Sequence, residues 1–360
     1  MAPRAISQHA EHQVNAIRQA LLRWYDPHRR GLPWRKARDP YRIWISEVML
    51  QQTRALTVIP YYEKFLNRFP DVQTLAAADE SNLLACWSGL GYYSRARNLR
   101  KAARMIVRDH GGCFPRDLQA ALELPGVGDY TARAVLSIAY AIPFPVLDGN
   151  VARVLSRLYA RRADLRSTSG KRKLLNMAES LLSRRRPGDF NQALMELGAT
   201  VCAPRQPQCS VCPLRKYCKA YSRDQMDRYP PTHSKVSTKL RSFLAVHIRD
   251  GQGKCLLARR PPEENWMGGF WELPMWELDN KETNTRARHN RKDGIILREF
   301  LGRLRHRITT NQIEVAFYQG YLARPPISPQ EKWVSLDQIE RMPITTITRK
   351  VLSYGPKLFR

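Results

Sequence analysis

The sequence predicts a multi-domain protein in which an all-α domain precedes a smaller α+β domain. The chain has 360 residues, more than a single hydrophobic core usually serves. Apolar residues recur at helical spacing from about residue 14 to residue 221, and they alternate as on strands from about residue 240. A polar, basic segment with two adjacent prolines separates the two patterns. We therefore predict domains at 1–221 and 240–360, joined by a linker at 222–239.

The connections of the first domain support its helical assignment. Segments such as DPHRRGLPW, HGGCFP and LPGVGD contain the glycines and prolines that are typical of helix ends. In the second domain we predict strands in RSFLAVHIRD, GKCLLARRP and NQIEVAFYQGYL. A short helix is predicted around RKDGIILREFL and another at SLDQIERM, and the segment DNKETNTRARHNRKDG is predicted to be a loop.

The charge balance indicates an anionic partner. The chain contains 60 Lys and Arg against 32 Asp and Glu, a net charge of +28. A surplus of this kind fits nucleic acid first and an anionic membrane second. No apolar stretch is long enough to span a bilayer, and charges interrupt the apolar residues of the N-terminus. We expect a soluble, intracellular protein, in a bacterial cytoplasm, without a membrane partner.

Four of the seven cysteines lie within eighteen residues. Cys202, Cys209, Cys212 and Cys218 follow the pattern C-x6-C-x2-C-x5-C, and four thiolates can hold either Zn²⁺ or a [4Fe-4S] cluster. Zinc sites usually join two short cysteine knuckles, whereas this pattern contains one. The spacing, at the end of an all-helical domain, resembles the iron-sulfur loop of the endonuclease III and MutY DNA glycosylases. That resemblance implies a [4Fe-4S] cluster at 202–218.

A second motif lies at about residues 118–140. Two helical patterns flank the turn LPGVGD, where Gly126 and Gly128 bracket one apolar residue. Such a turn can direct backbone N–H groups at a phosphate, although many helix pairs use one only to reverse direction. With the cysteine loop downstream, this segment resembles the helix-hairpin-helix of the same superfamily. The resemblance implies contacts that position DNA without reading its sequence.

Two carboxylates are candidates for acid and charge-stabilising roles. Glu47 is a lone acid inside the apolar run YRIWISEVMLQQT, where burial would raise its pKa and keep a proton available. An exposed helical Glu is the alternative, and it fits poorly beside apolar neighbours on several faces. Asp148 stands where a helix begins, so it fits a helix N-cap as well as a charge stabiliser.

Residues 14–221 resemble the catalytic domain of the MutY family of adenine DNA glycosylases. The matching words include LPWR, WISEVMLQQT, WSGLGYYSRARNL, LDGNVARVLSRL and FNQALMELGATVC. The resemblance implies that Glu47 protonates N7 of adenine, that Asp148 stabilises the sugar cation and that Asn150 helps to hold the sugar and water. Tyr130 stands where the bifunctional relatives, similar to endonuclease III, carry a lysine that forms a Schiff base. The resemblance therefore implies base release without strand cleavage.

Extruding the target nucleotide costs a few kcal/mol, which contacts with the protein must offset. By the resemblance, residues that enter the base stack are Gln52, Thr53, Leu90 and Tyr92. Residues that line the adenine pocket are Leu32, Trp34, Arg35 and Gln192. An aromatic residue beside a double-glycine turn, such as Tyr92, fits core packing equally well.

The stretch GKCLLARRPPEENWMGGFWELP resembles the opening strands of a Nudix fold, as in the C-terminal domain of the MutY family. The region through Gly302 lacks the acidic helix that metal-dependent Nudix hydrolysis needs. The resemblance therefore implies that this domain recognises 8-oxoguanine opposite the adenine. The family's Phe-Ser-His word corresponds here to Ile308-Thr309-Thr310, after His306. Preference for 8-oxoguanine over guanine is weaker as a result, or His306 compensates.

The predicted function is a monofunctional adenine DNA glycosylase, acting as a monomer on double-stranded DNA with adenine opposite 8-oxoguanine or guanine. A mismatch glycosylase for thymine or uracil is one alternative; SEVMLQQT and the Nudix-like domain argue against it. A catalytically silent protein that binds damaged DNA is another, and the presence of both Glu47 and Asp148 argues against that.

Overall fold

The computed structural model of the chain describes residues 8–231, 238–261, 264, 267–278, 294–308, 310–323 and 329–354. Contacts between Cα atoms divide them into two compact units. The first unit contains the described residues up to Ala77 and those from Asn98 to 231. The second contains Ala78–Arg97 and the described residues from 238 onward. The predicted order of an all-α part followed by an α+β part is confirmed.

The grouping of Ala78–Arg97 with the second unit differs from the sequence analysis, which placed this segment in the helical domain. Its apolar residues do have helical spacing, and it does form a helix. Spacing shows which face of a helix is apolar, but it does not show which core covers that face.

Helices dominate the described chain from Gln8 to Ser222. They are α1 (Gln8–His28), α2 (Pro40–Leu50), α3 (Ala55–Arg68), α4 (Val72–Ala77), α5 (Glu80–Trp87), α6 (Ser94–Asp109), α7 (Leu118–Glu123), α8 (Asp129–Ala139), α9 (Gly149–Tyr159), α10 (Thr168–Leu181), α11 (Pro187–Thr200) and α12 (Lys219–Ser222). Short 3₁₀ helices occupy Pro33–Arg35, Cys209–Val211, Arg215–Tyr217 and Met226–Arg228. None of the helices that the structure describes has the length and apolar character needed to cross a membrane.

Helix α2 is a core helix. Asp39 caps its start by accepting a hydrogen bond from Arg42 N at 2.8 Å, and Pro40 occupies its first position. All side chains from Ile43 to Met49 are buried, and α2 packs against α3 and α8. An ionisable side chain on this stretch is therefore held almost without contact with water.

The predicted helix-hairpin-helix is confirmed as α7, a turn and α8. Leu124 and Val127 are buried, and Val127 N donates to Leu124 O at 3.0 Å. Gly126 has φ of 77°, and a Cβ there would lie 2.7 Å from Cβ of Asn98. Glycine is therefore required at this position for both its backbone conformation and its small size. Gly128 is the N-cap of α8, with open space where a Cβ would project.

Helix α11 closes over the start of α9. A Cβ on Gly198 would lie 2.6 Å from Cβ of Asn150, so a larger residue would push the two helices apart. Helix α11 also packs against α1 and α8. This close approach brings residues of α11 to the same side of the unit as the first turn of α9.

The second unit contains two sheets among its described residues. The strands are β1 (Lys239–Ile248), β2 (Cys255–Arg259), β3 (Trp271–Glu272), β4 (Met275–Leu278), β5 (Ile295–Ile308), β6 (Asn311–Leu322) and β7 (Glu331–Val334). One sheet has the order β4-β1-β6-β5, with β1 and β6 parallel and the other pairs antiparallel. The other has the order β3-β2-β7 and is antiparallel. Apolar residues from both sheets share one core with α14 (Thr346–Leu352).

The predicted strands β1, β2 and β6 are confirmed, and so is the helix at SLDQIERM, which is α13 (Leu336–Glu340). The helix predicted around residues 291–301 is wrong, because the described part of this segment belongs to strand β5. Its apolar residues recur at spacings of three and four, as on a helix, but β5 pairs with β6 from Ile295 to Ile308. Hairpin pairing outweighs local spacing here. The predicted loop at 279–294 falls almost wholly outside the described residues.

Candidate active site

A cavity of about 860 Å³ lies in the first unit and gathers the predicted catalytic and adenine-pocket residues. Its walls come from the 3₁₀ helix Pro33–Arg35, from α2 and the turn after it, and from α8, α9 and α11. The lining residues predicted from the sequence are Leu32, Trp34, Arg35, Glu47, Gln52, Thr53, Tyr130, Asp148, Asn150 and Gln192. Residues more than 140 positions apart in the chain thus meet at one site.

Glu47 is a buried acid on α2, only 5% exposed. The hydroxyl of Tyr130 donates to its Oε2 at 2.7 Å. Burial raises the pKa of Glu47 to about 7; the Tyr130 hydrogen bond and the Arg35 charge oppose the rise, while Asp148 adds to it. The carboxyl therefore exchanges its proton near neutral pH, as a general acid requires.

Tyr130 is the second residue of α8 and lies next to the carboxyl of Glu47. Burial and the negative charges of Glu47 and Asp148 raise the pKa of Tyr130 well above its usual value, so the phenol remains a hydrogen-bond donor. Its oxygen also lies 3.2 Å from Sδ of Met195 on α11. A phenol offers no amine for a Schiff base.

Asp148 caps the start of α9 and faces the same cavity. Its Oδ1 accepts from Val151 N at 2.7 Å, and its Oδ2 accepts from Asn150 Nδ2 at 2.9 Å. Burial raises the pKa of Asp148, and these hydrogen bonds oppose the rise. Oδ1 is therefore used by the helix cap, while the side chain still borders the cavity.

The residues predicted to enter the base stack divide between the two units. Gln52 and Thr53 lie in the turn after α2, where Gln52 has φ of 59°. Leu90 and Tyr92 lie in the turn after α5; Leu90 is buried and Tyr92 is 42% exposed, with φ of 49°. A left-handed conformation at a residue other than glycine costs energy and is often found at functional turns.

A second cavity, of about 460 Å³, lies within the second unit. It is lined by residues of the turn after α5 and of the end of β5, including Leu90, Tyr92, His306 and Ile308. Nδ1 of His306 lies 3.3 Å from Nζ of Lys350. Burial and the Lys350 charge lower the pKa of His306, so its imidazole is neutral at physiological pH. Thr309 lies outside the described residues.

Two family models match the chain. One is described as HhH-GPD superfamily base excision DNA repair protein and matches residues 45–180. The other is described as NUDIX domain and matches residues 244–354. Among solved structures, a thermostable thymine-DNA glycosylase is 32% identical with a TM-score of 0.54, covering 59% of this chain and 98% of that one. Endonuclease III in a non-covalent complex with DNA, 22% identical with a TM-score of 0.51, shares the fold; the match covers 59% of this chain and 97% of that one.

Curated relatives decide the family. The adenine DNA glycosylase of Schizosaccharomyces pombe is 39% identical over 324 residues, which cover 74% of this chain and 70% of that protein. The chain belongs to the family of adenine DNA glycosylases. The human member is 44% identical over 263 residues, 71% of this chain and 47% of that protein. This chain spans about half the length of the mouse, human and Arabidopsis thaliana members, with 43%, 47% and 50% of each covered.

The structure adds charged residues on the wall of this cavity that the sequence analysis missed. Glu196 on α11 and Arg30 before the 3₁₀ helix line the cavity. Arg30 Nε lies 2.7 Å from Glu196 Oε1, and Arg35 Nη2 lies 2.9 Å from Glu196 Oε2. Glu196 carries the signal that singled out Glu47, a lone acid in an apolar helical run, within FNQALMELGATVC.

The four clustered cysteines lie in the first unit, and none forms a disulfide. Burial raises the pKa of Cys209 and of Cys218, and the charge of Cys202 adds to both, so their sulfurs lie within electrostatic range of one another. Cys212 responds to all three of the others. Across the described ranges, no three His, Cys, Asp or Glu side chains are arranged to hold a metal ion. The [4Fe-4S] cluster stays a prediction.

The raised pKa of Glu47 predicts a specific dependence of stability on pH. The stability that protonated Glu47 contributes is fully present below the pKa of this carboxyl in the unfolded chain, about 4.5. It is lost as pH rises through the pKa in the folded protein, about 7. Glu47→Gln does not titrate, so it should gain about 3 kcal/mol relative to wild type between pH 4.5 and pH 8. Urea unfolding across this range measures the gain. Glu179→Gln, on the exposed face of α10, is the control; a gain for Glu47→Gln that does not change with pH would contradict the burial argument.

Proposed function

We propose that the chain is a monofunctional DNA glycosylase of base excision repair. It removes adenine mispaired with 8-oxoguanine or guanine in double-stranded DNA, and it acts as a monomer. The observation that carries the proposal is the buried, near-neutral carboxyl of Glu47, hydrogen-bonded by Tyr130, in the cavity that Asp148 also lines. Family membership and the surplus of positive charge support a DNA substrate.

The reaction needs a proton on the leaving base. Adenine is a poor leaving group unless its N7 is protonated. Glu47 is the acid that supplies this proton. Its carboxyl is at the cavity wall with a pKa of about 7, so a useful fraction is protonated at physiological pH. Tyr130 fixes the orientation of the carboxyl by donating to Oε2, which leaves Oε1 free to face the base.

The departing base leaves an oxocarbenium-like sugar cation, which needs an anion close to C1′. Asp148 supplies it. Its Oδ2 is held by Asn150, and its place at the start of α9 favours the charged form through the helix dipole. Two carboxyls in different surroundings thus take the roles of acid and charge stabiliser.

The DNA strand is left intact after base release. Strand cleavage by relatives of this fold needs an amine that attacks C1′ and forms a Schiff base. Tyr130 presents a phenol next to Glu47, so water completes the reaction and an abasic site is the product.

The adenine enters the cavity as an extruded nucleotide. Leu32 and Trp34 are mostly buried apolar walls, and Gln192 on α11 offers an amide to a base edge. Gln52, Thr53, Leu90 and Tyr92 compensate the duplex for the lost base; Gln52 and Tyr92 have positive φ, and Tyr92 is exposed. Gly126 and Gly128 of the helix-hairpin-helix hold the phosphates.

The second unit recognises the base opposite adenine. The cavity lined by Tyr92, His306 and Ile308 supports this role, because it combines an aromatic ring with a neutral imidazole. His306 can donate or accept a hydrogen bond, which Ile308 cannot. We propose that His306, with Thr309, takes over the discrimination that the usual Phe-Ser-His word provides.

The thymine-DNA glycosylase likeness supports a second candidate, a thymine-specific mismatch glycosylase. The 44% identity with a human adenine DNA glycosylase and the NUDIX match favour adenine.

Cys202, Cys209, Cys212 and Cys218 hold a [4Fe-4S] cluster in this proposal. The four thiols, free of disulfides, can supply the four thiolate donors that the cluster needs, although no three of them are arranged to hold a metal ion in the described part of the chain. When bound, the cluster supplies structure to a loop that has little core of its own.

The central test is base release from a panel of mismatched duplexes, before and after alkali. Wild-type protein should release adenine and leave strands that break only after alkali. Glu47→Gln should bind mismatched duplex yet release adenine at least about 10² times more slowly, because the general acid is lost. Glu179→Gln should match wild type. Preferred release of thymine, or strand breaks without alkali, would overturn the proposal.

The role of His306 is tested by single-turnover rates on adenine opposite 8-oxoguanine and opposite guanine. We expect His306→Ala to slow the 8-oxoguanine duplex about fivefold more than the guanine duplex, since one hydrogen bond contributes about 1 kcal/mol. His12→Ala, on the exposed face of α1, should leave the ratio unchanged. Equal slowing of both duplexes by His306→Ala would remove His306 from lesion recognition.

The cluster is tested by counting metals in anaerobically purified protein. We expect about four irons per chain and little zinc. Cys212→Ser should lose iron, whereas Cys113→Ser, an exposed cysteine outside the loop, should keep it. A count of one zinc and no iron per chain would contradict the cluster and indicate a zinc site instead.

A further inference from the structure

Glu196 is a buried anion on the wall of the cavity, and base release as described above gives it no role. Its side chain is fully covered. Burial would raise the pKa of Glu196, but hydrogen bonds from Arg30 and Arg35 outweigh burial and hold the pKa at about 2. Glu196 is therefore charged throughout the pH range in which Glu47 titrates.

The contacts of Glu196 tie one short segment to α11. Arg30 donates three times, from Nε to Oε1 at 2.7 Å, from Nη2 to Oε2 at 2.8 Å and from its backbone N to Oε1 at 3.1 Å. Arg35 donates from Nη2 to Oε2 at 2.9 Å. Leu32 and Trp34, two walls of the cavity, lie between these arginines in the chain. One carboxylate thus fixes both ends of the segment that carries them.

Buried ion pairs are weak evidence for stability, because removing two charges from water costs several kcal/mol and apolar replacements are often as stable. Arg30 and Arg35 could satisfy their charges in water if the fold did not hold them against α11. An expensive arrangement of this kind at a cavity wall points to a role in the site.

The charges that face Glu47 show what the role is. Asp148, at the start of α9, raises the pKa of Glu47, and Arg35, from the 3₁₀ helix, lowers it; Tyr130 on α8 donates a hydrogen bond. The cavity also presents Arg30, Arg54 and Glu196 itself. Of the nearby cations, Arg35 is the one that acts on Glu47 electrostatically. An Arg35 side chain released from Glu196 could pair with Glu47 and hold it deprotonated.

We propose that Glu196 is a positioning residue: by holding Arg30 and Arg35 it fixes the wall formed by Leu32 and Trp34, and it keeps Arg35 from pairing with Glu47, so that Glu47 retains its proton. The catalytic use of that proton rests on the proposed function, but the effect of Glu196 on the titration of Glu47 does not.

The first test follows the titration of Glu47 without catalysis. The stability difference between Glu47→Gln and its parent should level off at the folded pKa of Glu47. When Glu47→Gln and its parent both also carry Glu196→Gln, their stability difference should level off about one pH unit lower. The reason is that an anion is lost and Arg35 is free to move. With Arg35→Met in both, the difference should level off at higher pH, because a cation is lost. Two shifts of opposite sign are not expected from general loosening of the fold.

Combining Glu196→Gln with Arg35→Met separates direct from mediated effects. If Glu196 acts through Arg35, the stability difference between Glu47→Gln and its parent should level off, in this background, at the wild-type pH or at a higher pH. A downward shift that persists without Arg35 would show that Glu196 acts only by its own charge, and it would overturn the positioning role. No shift in any background would overturn it as well. If Glu196→Gln does not fold, Arg35→Met and the double variant still show whether the pH at which the stability difference levels off rises or falls.

The second test is the pH dependence of single-turnover adenine release. A Glu47 pKa about one unit lower halves the protonated fraction at pH 6 and cuts it about tenfold at pH 8.5, so Glu196→Gln should lose about fivefold more activity at pH 8.5 than at pH 6, relative to wild type. Glu179→Gln should show no such difference. A uniform loss at all pH values would assign Glu196 to the fold alone. Absence of adenine release by wild type would refute the proposed function and leave the titration result to decide this inference.

Discussion

The site depends on one constraint, which is that a carboxyl must keep its proton near neutral pH. Burial raises the pKa of Glu47 and so keeps the proton in place, because a charged Glu47 carboxylate would be in full contact with neither water nor a cation. The surrounding sequence serves that end, because every residue of α2 from Ile43 to Met49 is buried. A helix with one polar face would have packed as well, but it would have exposed the carboxyl and returned its pKa to an ordinary value.

The residue beside the acid must meet the same constraint. Tyr130 donates one neutral hydrogen bond to Glu47, which orients the carboxyl and lowers its pKa, but burial outweighs this effect. A lysine at the same place would bring a cation close to Glu47 and favour the charged form of the carboxyl. The choice of a phenol therefore decides two properties together. In the proposed function, it removes the amine that would cleave a strand, and it preserves the acid that would release a base.

Much of this could be read from the sequence, because the informative signals are local. An acid in an apolar run identified Glu47, and spacing identified the helices and strands β1, β2 and β6. The turn LPGVGD between two helical patterns identified the helix-hairpin-helix. Strand β5 was misread because its pairing with β6 is not visible in its own spacing. Glu196 was passed over although its run resembles that of Glu47, since the partners that make it informative, Arg30 and Arg35, lie more than 160 residues away.

Asp148 shows why a structural and a catalytic reading need not compete. A helix start offers unpaired N–H groups and a positive potential, both of which favour a carboxylate. The same position opens onto the cavity beside Glu47. Two carboxyls so close would share one proton unless their surroundings differ. The cap of α9 favours charge on Asp148, and the apolar core around α2 favours the proton on Glu47. The surroundings of the two carboxyls thus already differ in the way that the proposed division of roles requires.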